Sequence, residues 1–85
     1  MVRIILTPVA EREYKRLPKD VQTRVRELFD GDFRSDPFSP RFNTRKIQDP
    51  FTGYRLRLGD YRVLFEFGGK TILVYRIRHR KDAYR

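Results

Sequence analysis

The sequence predicts an α+β fold in which a helical hairpin packs on one face of a twisted, mainly antiparallel four-stranded sheet, in the order β-α-α-β-β-β. Three observations carry this. Two amphipathic stretches follow one another between residues 8 and 30, and period-two alternation takes over at Tyr54. Glycine-containing pairs at Gly59-Asp60 and Gly68-Gly69 then divide the alternating region into three runs. At 85 residues the chain is sized for one core and reads as a single domain over residues 1–85.

Val2–Leu6 is a short apolar run with one arginine, ended by Thr7-Pro8, and reads as a strand. Thr7 suits a helix N-cap and Pro8 the first helical position, where no amide donor is needed. Ala10, Tyr14 and Leu17 recur at i, i+4 and i+7 on one face of a helix that Pro18 interrupts. A second helix starts near Lys19 with Val21, Val25, Leu28 and Phe29 on its stripe, and Gly31 suits its end. Asp32–Asn43 holds Pro37 and Pro40 and reads as a loop; its Phe33, Phe38 and Phe42 are better explained as apolar anchors than as base-stacking rings. The three β runs that close the chain form an antiparallel meander, and the helices bury their stripes on it.

Composition narrows the function. Lys and Arg number 20 against 11 Asp and Glu, a net charge of +9. A surplus of this size favours polyanionic partners, namely nucleic acid, a ribonucleoprotein surface or an acidic protein. The plain alternative is a solvated basic surface that keeps the protein soluble. Distribution argues against it: residues 1–53 carry a net +3, and the shorter segment 54–85 carries +6. The absence of cysteine excludes disulfides, a Cys-based zinc site and a cysteine nucleophile, and the single histidine, His79, excludes chemistry needing two imidazoles. No apolar run nears the roughly 20 residues of a membrane-spanning helix, and no apolar signal segment opens the chain. A cytosolic, cofactor-free basic domain with no membrane partner is expected.

Strand register suggests where the charge goes. A turn at Gly59-Asp60 sets Leu58 opposite Tyr61, Arg57 opposite Arg62 and Arg55 opposite Leu64. Opposed residues share a face, so Arg55, Arg57 and Arg62 project together. Tyr54, Leu56, Leu58, Val63, Phe65 and Phe67 then form the core face. A second turn at Gly68-Gly69 sets Arg62 opposite Tyr75, with Ile77 and His79 following on that same face. A second basic group, Arg76, Arg78, His79, Arg80, Lys81, Tyr84 and Arg85, closes the chain at the rim. Arginines interleaved with aromatics are the side chains that clamp phosphates and stack on bases.

The helical hairpin, the block Tyr54-Arg55-Leu56-Arg57-Leu58-Gly59-Asp60-Tyr61-Arg62-Val63 and the terminal Arg78-His79-Arg80-Lys81-Asp82-Ala83-Tyr84 together resemble the RelE/ParE superfamily of type II toxin–antitoxin toxins. The resemblance covers nearly the whole chain, including the Leu-Pro between the helices. Its RelE branch implies a ribosome-dependent mRNA endoribonuclease: without metal or cofactor, a 2′-hydroxyl in the ribosomal A site attacks the adjacent phosphate. The catalytic positions it implies are Arg55, Arg57, Arg62, Arg80 and Tyr84. Arg62 and Arg80 would hold the phosphate and stabilise its developing charge, and Tyr84 would stack on a base. Lys46, Arg76, Arg78, Lys81 and Arg85 complete the expected RNA contacts. Some members carry lysines where this chain has Arg55 and Arg57. An arginine holds its proton too tightly for general-base work, which makes Arg57 an electrostatic stabiliser and leaves the base to His79 or Tyr84. His79 is the side chain that titrates near neutrality, yet its setting also suits a surface residue or an antitoxin contact.

Two other functions fit the same resemblance: a ParE-like inhibitor of DNA gyrase that cleaves nothing, and a degenerate module that only binds its antitoxin. All three imply an acidic antitoxin that wraps the basic face, with operator DNA bound only through that partner.

Overall fold

The computed structural model describes residues 3–35, 43–47 and 53–81. Strand β1 (Arg3–Leu6) leads into helices α1 (Pro8–Lys15), α2 (Lys19–Asp30) and the single turn α3 (Asp32–Ser35). Strands β2 (Asn43–Ile47), β3 (Gly53–Leu58), β4 (Tyr61–Gly68) and β5 (Thr71–His79) follow. They form one sheet in the order β1-β5-β4-β3-β2, antiparallel except for the parallel β1–β5 pair.

Local chemistry explains the helical layer. Thr7 is the N-cap of α1: its Oγ1 accepts from the Ala10 amide at 3.2 Å and Pro8 occupies the first turn. Pro18 separates the helices, and Gln22 bridges the break by donating from Nε2 to the carbonyls of Tyr14 and Lys15 at 3.0 and 3.1 Å. Those carbonyls belong to the last turn of α1, past which the helix does not continue to supply i+4 donors; the Tyr14 carbonyl also accepts from the Leu17 amide at 3.1 Å. Gly31 ends α2 as expected. The core joins Ala10, Val21, Val25 and Phe33 from the helices to Leu56, Val63, Phe65, Ile72, Val74 and Ile77 from the sheet. Phe33, expected as a loop anchor, is fully buried on α3 and meets Phe65 edge-to-face at 5.3 Å. Phe38 and Phe42 lie outside the described residues.

Three expectations need correction. The sheet has five strands rather than four, because Asn43–Ile47 pairs with β3. Its run Asn-Thr-Arg-Lys-Ile is polar because it is an edge strand, so the alternation that marks a half-buried strand is missing. The second turn lies one residue later than expected, with Gly68 pairing with Thr71, and the register shifts again at Leu64/Phe65. Beyond that irregularity Arg62 opposes Arg78 rather than Tyr75, and Val63 opposes Ile77. Ile77 is therefore in the core and His79, opposite Tyr61, lies on the helix side rather than beside Arg62. Phe67, expected in the core, is 36% exposed.

Gly53 opens β3 with φ 110°, and a Cβ there would lie 2.5 Å from the Phe65 carbonyl oxygen. Gly69 also has positive φ, 58°, but faces open space. Gly69→Ala should cost about 1–2 kcal/mol, the left-handed penalty alone. Gly53→Ala should cost clearly more, because its collision is with backbone. Urea unfolding of both variants measures the difference.

Candidate nucleic-acid interface

The face of the sheet turned away from the helices is organised in cross-strand rows. In the first, Asn43 opposes Arg57, Arg57 opposes Arg62 and Arg62 opposes Arg78. In the second, Arg45 opposes Arg55, Arg55 opposes Leu64 and Leu64 opposes Arg76. Directly opposed residues have Cβ atoms about 4.5–5.5 Å apart, so the first row roots three arginine side chains next to one another across three strands. Like charges at such spacing repel by roughly 1 kcal/mol in water and several times that where solvent is thinned. An oxyanion placed against the row relieves that repulsion and takes charge-assisted, bidentate hydrogen bonds.

Each arginine is held differently. Arg62 is only 7% exposed, and its Nη1 donates to the carbonyls of Gly59 and Tyr61, both at 3.0 Å. The β3–β4 turn thus solvates the central cation of the row. Arg57 is exposed, and Arg78 keeps 23% of its side chain exposed with its Nε 3.9 Å from Glu13 Oε2. Arg76 is engaged by Glu13: Nε donates to Oε1 at 3.2 Å and Nη2 to Oε2 at 3.2 Å. Arg80 extends the ladder past β5, its amide donating to the Asp60 carbonyl at 2.7 Å. Its Nε lies 3.9 Å from Asp60 Oδ1 with both side chains more than half exposed, a geometry that restrains little.

His79 stands around the edge of the sheet. Its ring meets Tyr61 edge-to-face at 5.3 Å, and its Nδ1 accepts from the Lys81 amide at 3.2 Å. Neutral His79 in this arrangement carries its proton on Nε2. It lines a cavity of about 320 Å³ with Glu13, Arg16, Leu17, Tyr61, Ile77 and Arg78, so Arg78 is shared between the arginine row and the histidine cavity.

The structure therefore gathers Arg55, Arg57, Arg62, Arg76 and Arg78 on one face, with Arg80 and the exposed Lys81 at its end. Lys46 opposes Tyr54 and falls on the other face of the sheet. Tyr84 and Arg85 lie outside the described residues. Two participants were missed in the sequence. Arg45 extends the second row, but its strand carries no alternating signal. Glu13 had one: it interrupts the apolar stripe Ala10-Tyr14-Leu17 of α1. Among the described residues, no three His, Asp or Glu side chains converge as metal ligands would, and no helix is long and apolar enough to cross a membrane.

Residues 4–84 match the family model of the ParE toxin of type II toxin–antitoxin systems, parDE. The chain belongs to the RelE/ParE toxin family. Toxin RelE3 of Methanocaldococcus jannaschii is 25% identical over 84 residues, 98% of this chain and 96% of that one. The toxin in the RelB–RelE antitoxin–toxin complex from Methanococcus jannaschii superposes with TM-score 0.78 at 25% identity over 94% of both chains. The archaeal RelE–RelB complex from Pyrococcus horikoshii gives 0.77 at 26% identity, covering 96% of this chain and 98% of that one. Within this RelE/ParE fold, the arginine rows occupy the open sheet face and the helices close the other.

Arg62→Ala removes the donor from two turn carbonyls and should cost about 1–3 kcal/mol of stability, whereas exposed Arg80→Ala should stay within about 0.5 kcal/mol of the parent; chemical denaturation distinguishes them. Tyr75, the extra residue at the register shift, has its pKa pushed above 10.0 by burial and then by the Glu66 charge. Above pH 10 the unfolded chain releases this proton first, so stability should fall as pH rises through that range. Tyr75→Phe should flatten that fall in unfolding titrations between pH 9 and 11.

Proposed function

We propose that this RelE/ParE toxin is a ribosome-dependent mRNA endoribonuclease. The observation that carries the reading is the row Arg57–Arg62–Arg78, three arginines at opposed positions on adjacent strands with the central one buried and anchored. In the proposed reaction the 2′-oxygen attacks the adjacent phosphorus, giving its proton to a base, and the 5′-oxygen leaves and takes up a proton. A 2′,3′-cyclic phosphate and a 5′-hydroxyl result. Charge builds on the nonbridging phosphate oxygens, where Arg62 and Arg80 serve as clamps and Arg57 as stabiliser. None of these arginines gives up its proton. The base is Tyr84, which also stacks on a base of the message, because His79 lies on the helix side of the sheet; Arg55, Arg78, Lys81 and Arg85 hold the flanking backbone. No metal or cofactor enters this scheme.

The partners of this reading are the ribosome with mRNA in its A site and an acidic antitoxin that covers the arginine face. Solved relatives in complex with antitoxins support the second. Operator DNA is reached only through the antitoxin, and the protein acts in the cytoplasm. One observation favours a second reading, inhibition of DNA gyrase: the family model that matches is that of the ParE toxin.

Primer extension on mRNA in a purified translation system tests the proposal. Cuts within the A-site codon that require ribosomes are expected, and Arg57→Ala should slow them roughly 10²-fold, the scale for one transition-state donor. Uncut message together with inhibited plasmid supercoiling would replace the nuclease with the gyrase inhibitor.

A further inference from the structure

Glu13 is a carboxylate in the wrong place for a solubilising residue. It sits on the stripe of α1 that buries Ala10 and packs Tyr14 and Leu17, and its side chain is 21% exposed. Glu11, two residues earlier, is 60% exposed and pairs with Lys15 on the solvent side. Buried carboxylates are retained where they are paired and hydrogen-bonded, and Glu13 is both. Oε1 accepts from the Ile77 amide at 2.9 Å and from Arg76 Nε at 3.2 Å. Oε2 accepts from Arg76 Nη2 at 3.2 Å and lies 3.9 Å from Arg78 Nε.

We propose that Glu13 is a positioning residue of the arginine face: it anchors Arg76 by a forked ion pair and, without hydrogen-bonding it, draws Arg78 to the outer, β5 flank of the row it shares with Arg62. The inference rests on the nuclease reading for its kinetic consequence, though not for its geometry. One carboxylate between two guanidinium groups leaves the pair with a net positive charge. Arg76 is the anchor, and Arg78 keeps its charge for an incoming phosphate while its direction is set. Sequence reasoning treats Arg76 and Arg78 alike as RNA contacts; their unequal distances from Glu13 give them different tasks.

Glu13→Gln removes the charge, and Glu11→Gln changes the net charge of the protein by the same amount at an exposed position. With programmed ribosomes, E13Q should lower kcat about tenfold or more while leaving KM unchanged or lower, because a misdirected donor costs rate and an unneutralised arginine costs no affinity. E11Q should change neither. Glu13→Asp keeps the charge but is one methylene short, and should lower kcat without lowering KM. In the wild type, the Arg76 Nε–H should exchange with solvent far more slowly than that of exposed Arg57, and E13Q should abolish the difference. A folded E13Q with unchanged kcat, or an E11Q with an equal effect, would overturn the proposal, as would wild-type Arg76 exchanging as fast as Arg57. If the wild type cleaves no message, the nuclease reading falls and the exchange comparison alone judges Glu13. Should E13Q not fold, E13D kinetics and wild-type exchange decide in the same way.

Discussion

The strand β5 is nine residues long and its parallel neighbour β1 only four, and the arrangement of the whole molecule answers that mismatch. β1 pairs with β5 from Thr71 to Val74, after which the edge of β5 needs other partners. The Thr7 amide donates to the Val74 carbonyl and its hydroxyl to the Tyr75 carbonyl, and the Ile77 amide donates to Glu13. An unpaired buried backbone group costs about 1–3 kcal/mol, so a chain that turned away after β1 would lose stability at each position. By sending α1 along this edge the chain satisfies it with one hydroxyl and one carboxylate. That fixes the helical layer over the sheet, and the same carboxylate engages arginines of the opposite face.

The register shift in β5 decides which residues those are. With continuous pairing from the Gly68–Thr71 pair, Ile77 would oppose Arg62 on the open face and Arg76 would oppose Val63 in the core. The extra residue at Tyr75 reverses both, since a one-residue slip moves every following side chain to the other face. Ile77 becomes almost fully buried and Arg78 joins the row. A bulge thus allows a nine-residue strand to donate Ile72, Val74 and Ile77 inward and still carry two arginines outward.

Much of this was legible in the sequence, and what was not has physical reasons. Thr7-Pro8, Pro18 and Gly31 mark the helix boundaries through backbone requirements that hold in any fold, and each was placed correctly. The first hairpin was readable to the residue, because Gly59-Asp60 supplies a two-residue turn with positive φ at the glycine, and Arg57 opposite Arg62 followed. The second was not: Gly68-Gly69-Lys70 accommodates a turn at either pair, and both put Val74 on the core face and leave burial of Ile77 to a later register shift, so face alternation does not choose between them. The spacing of three from Val74 to Ile77, after Ile72 and Val74 at two, was the available sign of a bulge. β2 was missed because an edge strand needs no apolar alternation. Glu13 was visible as a charge on an apolar stripe, but its partners lie more than 60 residues away in sequence.

Arg62 ties the candidate chemistry to the fold. A cation at 7% exposure is stable only if fixed dipoles replace its water, and the carbonyls of Gly59 and Tyr61 do so. Those carbonyls belong to the tight turn that also sets the register of Arg57, so the central charge and its neighbour are positioned by one local structure. On the other side Arg78 is directed from α1 rather than from the sheet. The row is therefore assembled in folding, with its repulsion offset by turn dipoles on one flank and a carboxylate on the other. An oxyanion that docks there meets donors already oriented, and the reorganisation that would otherwise oppose binding or reaction has been completed before it arrives.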